Sequence, residues 1–162
     1  MSYTIVSFGE ALWDLLPDGP VLGGAPLNLA YRINTLGHKG IILSRLGNDD
    51  LGKRALEALK NLRMDTGFIQ IDAGHNTGTV HVHLDELKNP HFEIVGNAAY
   101  DFIEPSAAMT DVVKNADCLC FGTLVQRTEV SRKTLYGLLE AYRGRYVLYD
   151  INLRKDCFSK PV

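Results

Sequence analysis

Cysteine is scarce in this chain. Cys118, Cys120 and Cys157 are odd in number and form no Cys-x-x-Cys pair, which argues against both a disulfide framework and a zinc site. Long apolar runs are also missing, and none approaches the ~18–20 residues of a membrane span. The opening stretch Met1–Val6 has no basic segment of the secretory kind. Nor is there an excess of positive charge. The net charge of −2 leaves no electrostatic footprint for nucleic acid or an anionic membrane. Internal repeats, low-complexity tracts and linkers are absent as well. What is left reads as a reduced, cytoplasmic protein. Its 162 residues, 46% apolar and 22% charged, suit one globular domain with a real core.

The residues that are present alternate between strand and helix patterns. Tyr3–Phe8 is a short apolar run closed by Gly9, the pattern of a buried strand. Leu27–Leu36 reads as a helix stopped by Gly37, and Gly40–Leu46 as a second strand. Asp49–Leu62 carries Leu51, Ala55, Leu56, Leu59 and Leu62 at helical spacing behind an acidic start. From Phe68 to Ile94 the segments turn short and alternating, which predicts an antiparallel hairpin with one wet face. The α/β rhythm then returns: a helix around Ala107–Asn115, a strand Cys118–Phe121 with both cysteines on one face, a helix around Val130–Tyr142 and a strand Tyr146–Ile151. Strand, helix, strand, helix implies parallel βαβ units.

The most informative stretch is Gly23-Gly24-Ala25-Pro26-Leu27-Asn28-Leu29-Ala30, followed by Gly37 and Gly47. A double glycine lets backbone approach a ligand with no Cβ in the way. Pro26 suits a first helical turn, where its missing N–H costs nothing. Asn28 then stands among the free N–H groups of a helix start, with both a donor and an acceptor to offer. Such a corner suits a polyhydroxylated ligand. The spaced run Gly-Gly-x-Pro-x-Asn-x-Ala, Gly37, Gly47 resembles the N-terminal signature of the PfkB/ribokinase family of carbohydrate kinases. Gly9-Glu10-Ala11-Leu12-Trp13-Asp14-Leu15-Leu16-Pro17 and Asp150-Ile151-Asn152-Leu153-Arg154 resemble its fructokinase-like branch.

The resemblance implies an α/β, ribokinase-like (Rossmann-like) fold. That fold has a mostly parallel sheet flanked by helices and a small antiparallel β-lid insertion, with lid segments around 10–23 and 68–103. It implies transfer of the ATP γ-phosphoryl group, with Mg2+, to a small sugar, fructose foremost. Ribose, a nucleoside or a keto-sugar acid are the other family substrates. It also implies a homodimer contact through the lid. Asp14 would accept hydrogen bonds from adjacent sugar hydroxyls, beside Gly23, Gly24 and Asn28; a solvated loop aspartate is the alternative. Tyr100 offers a ring to stack on a sugar or to fill the core. Gln126, after the strand that holds the cysteines, offers a ligand contact or a capped helix start. Asp150, Asn152 and Arg154 would face the phosphates, the metal or an acidic substrate group, unless Asp150 and Arg154 form a rim ion pair.

Two other patterns carry less. Gly47-Asn48-Asp49-Asp50-Leu51-Gly52-Lys53-Arg54 fits most of a P-loop. It lacks the metal-binding hydroxyl, since Arg54 follows Lys53, and Asp49 and Asp50 repel phosphate; it reads better as an acidic helix start. His75, His81, His83 and His91 gather at the hairpin, and no Cys or well-spaced carboxylate completes a metal set, so they read as a polar lid face. The family draws its general base and anion-holding amides from a Gly-x-Gly-Asp turn opening a later helix, and no such motif occurs between 1 and 162. The resemblance therefore covers about the first half of a family member, with the nucleotide and catalytic half absent. It predicts an exposed apolar sheet edge and no catalytic residue within these positions. A non-catalytic sugar-binding or regulatory remnant is the alternative.

Overall fold

The computed structural model describes residues 2–84 and 90–153. Five strands form the main sheet: β1 (Thr4–Phe8), β4 (Lys39–Gly47), β5 (Ile69–Asp72), β8 (Cys118–Gly122) and β9 (Tyr146–Asp150). Their order is β5-β4-β1-β8-β9, and every pairing is parallel. A second sheet, in the order β3-β2-β6-β7, consists of β2 (Leu12–Leu16), β3 (Gly19–Gly23), β6 (Gly78–Leu84) and β7 (Pro90–Ile94). Among the described residues there are four α-helices: α1 (Ala25–Thr35), α2 (Asp50–Asn61), α3 (Ala107–Lys114) and α4 (Glu129–Ala141). Among the described residues no helix is long and apolar enough to cross a membrane.

Side-chain alternation divides the core into two layers. Ile42 and Leu46 of β4 meet Leu27 and Ala30 of α1 and Ala55 and Leu59 of α2 on one face. Val6, Phe8, Ile41, Leu43 and Leu119 meet Met109 and Val113 of α3 and Leu135 and Leu138 of α4 on the other. This is the period-two rule of a parallel sheet with helices on both sides.

The second sheet is mixed rather than purely antiparallel. β2 pairs β3 antiparallel but β6 parallel, and β6 then pairs β7 antiparallel as the hairpin pattern predicts. The predicted lid range also divides. Ile69–Asp72 joins the main sheet beside β4, and Tyr100 at its far end is core. The outlying sheet is built from 12–23 and 78–94 alone. It is docked on the main body through Trp13, whose Nε1–H donates to the Leu51 carbonyl at 3.0 Å.

β9 has a different environment. It is the edge strand, with every residue exposed, Val147 at 53% and Leu148 at 47%. The apolar edge expected from the sequence is therefore present.

Candidate functional site

In an open α/β sheet, ligands bind beyond the carboxyl ends of the strands, where the strand order reverses. Here the chain leaves β1 toward β4 and β5, then returns to β8 on the other side of β1. The switch point therefore lies beyond Phe8 and Gly122, and the helix opening there is α1.

The Gly-Gly corner forms this end of α1. Gly24 is its N-cap with φ +112°, and a Cβ on it would lie 2.3 Å from the Glu10 carbonyl oxygen. Pro26 stands in the first turn, and the Asn28 N–H donates to the Gly24 carbonyl at 2.9 Å, which leaves the Asn28 side chain on the exposed face. Glu10, buried, accepts from the Ala25 N–H at 3.2 Å and so ties the corner to the segment leaving β1. Asp14 is half-buried in β2, with its Oδ2 lying where a Gly23 Cβ would be, 2.6 Å away. The residue type at 23 thus sets where the Asp14 carboxylate sits, close to the start of α1.

A trough of about 560 Å³ runs beside α1, lined by Ser7, Pro26, Cys120, Leu148, Asp150 and Asn152 among others. Asp150 is in register with Gly122 at the carboxyl end of the sheet. The Asn152 N–H donates to Asp150 Oδ1 at 3.2 Å, and the Thr123 hydroxyl donates to the Ile151 carbonyl at 2.9 Å. Asp150 and Asn152 are thereby brought to the same trough as the α1 start. Arg154 lies outside the described residues.

One predicted contact is committed elsewhere, and a second has a structural partner. Tyr100 is fully buried, its ring packed where a Gly78 Cβ would be and its hydroxyl accepting from Arg127 Nη2 at 2.8 Å. It leaves no ring face for a sugar, so the stacking expectation is corrected in favour of the core alternative. The Gln126 Nε2 amide donates to the Gly122 carbonyl at 2.9 Å, holding the turn after β8.

The sequence reading missed a residue of structural weight. Arg127 donates from Nε and Nη2 to the two oxygens of Asp101 at 2.7 and 2.6 Å, and from Nη2 to the Val95 carbonyl at 2.9 Å. Asp101 is completely buried and also accepts from the Ala98 N–H at 3.0 Å. This fork joins the root of the second sheet to the turn after β8. Its only sequence signal was one buried-type acid after Tyr100 and one arginine after Gln126.

The Gly47–Gly52 turn is a helix cap. Asp49 accepts from the Gly52 N–H, the Thr77 N–H and the Thr77 hydroxyl, each at 2.7 Å. The donors at this helix start are therefore taken by a side chain rather than offered to a phosphate. Burial pushes the Asp49 carboxyl up, but the hydrogen bonds from Thr77 and Gly52 outweigh it and hold it below its ordinary 3.8. A carboxylate depressed in the folded state stabilises above its unfolded value and loses that contribution as pH falls through the folded one. Asp49→Ala is expected to cost about 1–2 kcal/mol at pH 7. The gap from the unmodified chain should close as pH drops below 3.8. Urea titrations at both pH values check this. His75 is also used structurally: its Nδ1 is 3.1 Å from Asp72 Oδ2, and its ring stacks on Phe102. His75 thus lies outside the lid face assigned to it.

Comparison with known proteins adds a scale. The pattern of the pfkB family of carbohydrate kinases matches residues 20–155. A fructokinase of Klebsiella pneumoniae is 31% identical over 169 residues, which are 99% of this chain and 54% of that protein. A fructokinase of Escherichia coli is 30% identical, again over 98% of this chain and 54% of its own length. Among solved structures, a fructokinase from Vibrio cholerae in apo form superposes with TM-score 0.83 at 27% identity, over 99% of this chain and 57% of that one. An uncharacterized sugar kinase from Pyrococcus horikoshii in complex with ATP superposes with TM-score 0.80 at 31% identity, over 94% of this chain and 54% of that one. The chain spans about half the length of the curated relatives it matches.

Proposed function

The chain belongs to the pfkB family of carbohydrate kinases, and from that premise we propose that it carries the sugar-binding half of an ATP-dependent kinase whose substrate is fructose. The observation that carries this reading is the placement of Asp14 on Gly23, beside the Gly24 cap of α1. A carboxylate held there accepts hydrogen bonds from two neighbouring hydroxyls of a sugar. Asn28 and the backbone of the Gly-Gly corner bind the remaining hydroxyls. The sheet β3-β2-β6-β7 covers the sugar as a lid and excludes water from the reacting hydroxyl. Its half-exposed Val21 and Phe92 share the Asp14 face by register and supply the apolar surface for a lid-to-lid homodimer.

The phosphate side is Asp150 and Asn152 at the trough mouth, and Arg154, two positions further along the sequence, supplies the cation for an anionic group. Asp150 and Asn152 offer oxygen donors, the chemistry that magnesium takes. Among the described residues no group of three or more metal-ligating side chains gathers. A magnesium ion would therefore be held mainly by the nucleotide phosphates, as this ion commonly is. Bound there, ATP–Mg2+ supplies the phosphoryl group, and the residues of this chain orient the sugar toward it. A cytoplasmic setting, where both substrates are found, goes with this reading. The general base and the anion-holding amides come from a Gly-x-Gly-Asp turn that this sequence lacks.

The test is release of ADP by the purified chain with fructose, ATP and magnesium, against a control without sugar. The two rates are expected to coincide. Sustained fructose-dependent turnover would place a base among these residues and overturn the assignment of roles.

A further inference from the structure

Strand pairing in the second sheet brings together four residues of metal-ligating type. β6 and β7 run antiparallel, with His81 opposite Glu93 and His83 opposite His91. Residues two apart on a strand share a face, so the four form one two-by-two block. Val80 and Val82, which alternate with the two β6 histidines, belong to the buried core, so the block lies on the other face of the sheet. In the same register the Val95 N–H donates to the Thr79 carbonyl at 3.0 Å. By alternation, both pairs of the block are of the hydrogen-bonded kind, with Cα atoms about 5.5 Å apart. Along each strand the spacing is about 7 Å. His81 is half-buried and Glu93 exposed. Glu93 lies twelve positions beyond His81 in the sequence, and only the hairpin register makes it the cross-strand neighbour. Backbone register is what places the four, since among the described residues no set of three ligating side chains is already gathered.

We propose that His81, His83, His91 and Glu93 bind one zinc ion on this face of the second sheet. Three imidazoles and one carboxylate make a complete four-coordinate zinc set. Side chains of this reach can close over a block of that size, at metal–ligand distances of about 2.0–2.2 Å. Calcium and magnesium fit poorly, because they take oxygen ligands and only Glu93 offers one. A thiophilic ion fits poorly as well, since Cys118 and Cys120 lie on β8 of the main sheet. With all four positions filled by protein, the ion is a staple and leaves no place for a substrate. The fold gives it something to hold. β7 is the edge of its sheet and pairs with β6 alone among the described strands, and Pro90 at its start brings no N–H to the ladder. Zinc bound across the two register pairs ties β7 to that neighbour. The site does not rest on the kinase reading. Asp14 is in register with Val80 and so shares the opposite face.

The purified chain, stripped with EDTA and dialysed, is titrated with zinc chloride by calorimetry and, separately, with cobalt chloride in visible light. One zinc ion per chain is expected, and cobalt should give the strong visible bands of a four-coordinate site. Amides of 90–94 should exchange more slowly with zinc than without it. His83→Ala, His91→Ala and Glu93→Gln should each weaken zinc binding at least tenfold. His38→Ala is the control, because His38 precedes β4 in the main sheet, and it should bind as the unmodified chain does. Circular dichroism without metal checks that each variant is folded. Glu93 is exposed, so Glu93→Gln keeps the test decisive where a histidine variant fails to fold. A folded chain that binds no zinc overturns the site. Binding that Glu93→Gln leaves unchanged does so too. So does uptake of several ions that His38→Ala weakens as much as His83→Ala, which is the behaviour of scattered surface histidines.

Discussion

Arg127→Ala is expected to destabilise the chain by about 3–5 kcal/mol, a large share of the ~5–15 kcal/mol that holds a typical domain together. The reason is the charge it would strand. Asp101 is completely buried, and its two oxygens receive the Arg127 fork at 2.7 and 2.6 Å. Without the guanidinium, the carboxylate keeps the Ala98 N–H at 3.0 Å and loses its counter-charge. Tyr100 would lose a donor to its hydroxyl and Val95 one to its carbonyl. Three segments loosen together: the root of β7, the turn around Tyr100 and the turn after β8. Arg127→Lys should recover only part of the loss, because an ammonium cannot span both oxygens as a planar fork does. Urea unfolding followed by circular dichroism reads all of this. A change below about 1 kcal/mol for Arg127→Ala would mean that the pair is solvated and exchangeable, as surface pairs are.

The second large effect belongs to Gly24→Ala, expected to abolish fructose binding while lowering stability by about 1–3 kcal/mol. Its φ of +112° disfavours any L side chain, and the new Cβ would meet the Glu10 carbonyl oxygen at 2.3 Å. That oxygen is backbone, so relief requires the segment between β1 and β2 to move away from the α1 start. The same movement carries Asp14 away from Gly23. Gly37→Ala is the control, since its φ is +81° but nothing lies within 4 Å of the added Cβ. It should show the conformational strain and keep the binding. Calorimetry with fructose on folded protein separates the two, and equal binding by Gly24→Ala and the unmodified chain would remove the corner from the site.

Most of the α/β framework could be read from the chain because its signals are local. An apolar run closed by Gly9, a proline in the first turn of α1 and a glycine after its last each fix an element boundary on their own. The cleft was legible for the same reason, through the Gly-Gly-x-Pro-x-Asn spacing. What escaped depends on contacts between distant residues. β2 and β3 carry no strand signal of their own, the resemblance alone put 10–23 in the lid, and β6 pairs with β2 across 66 positions, as in Leu12 with Gly78. Ile69–Asp72 has the same alternating look as the hairpin, yet it joins the main sheet because β4 offers it a free edge. Tyr100 could have stacked on a ligand or filled the core, and the absence of a side chain at Gly78 settles it for the core. The Asp101–Arg127 fork joins residues 26 apart, and periodicity does not report such pairs.

The sugar site stands or falls on a titration of fructose into the purified chain and into Asp14→Ala. Saturable binding to the unmodified chain is expected, with at least a tenfold loss in Asp14→Ala and both proteins equally folded. Binding that survives Asp14→Ala unchanged, or no binding by the folded unmodified chain, would contradict the assignment of the sugar site to this corner.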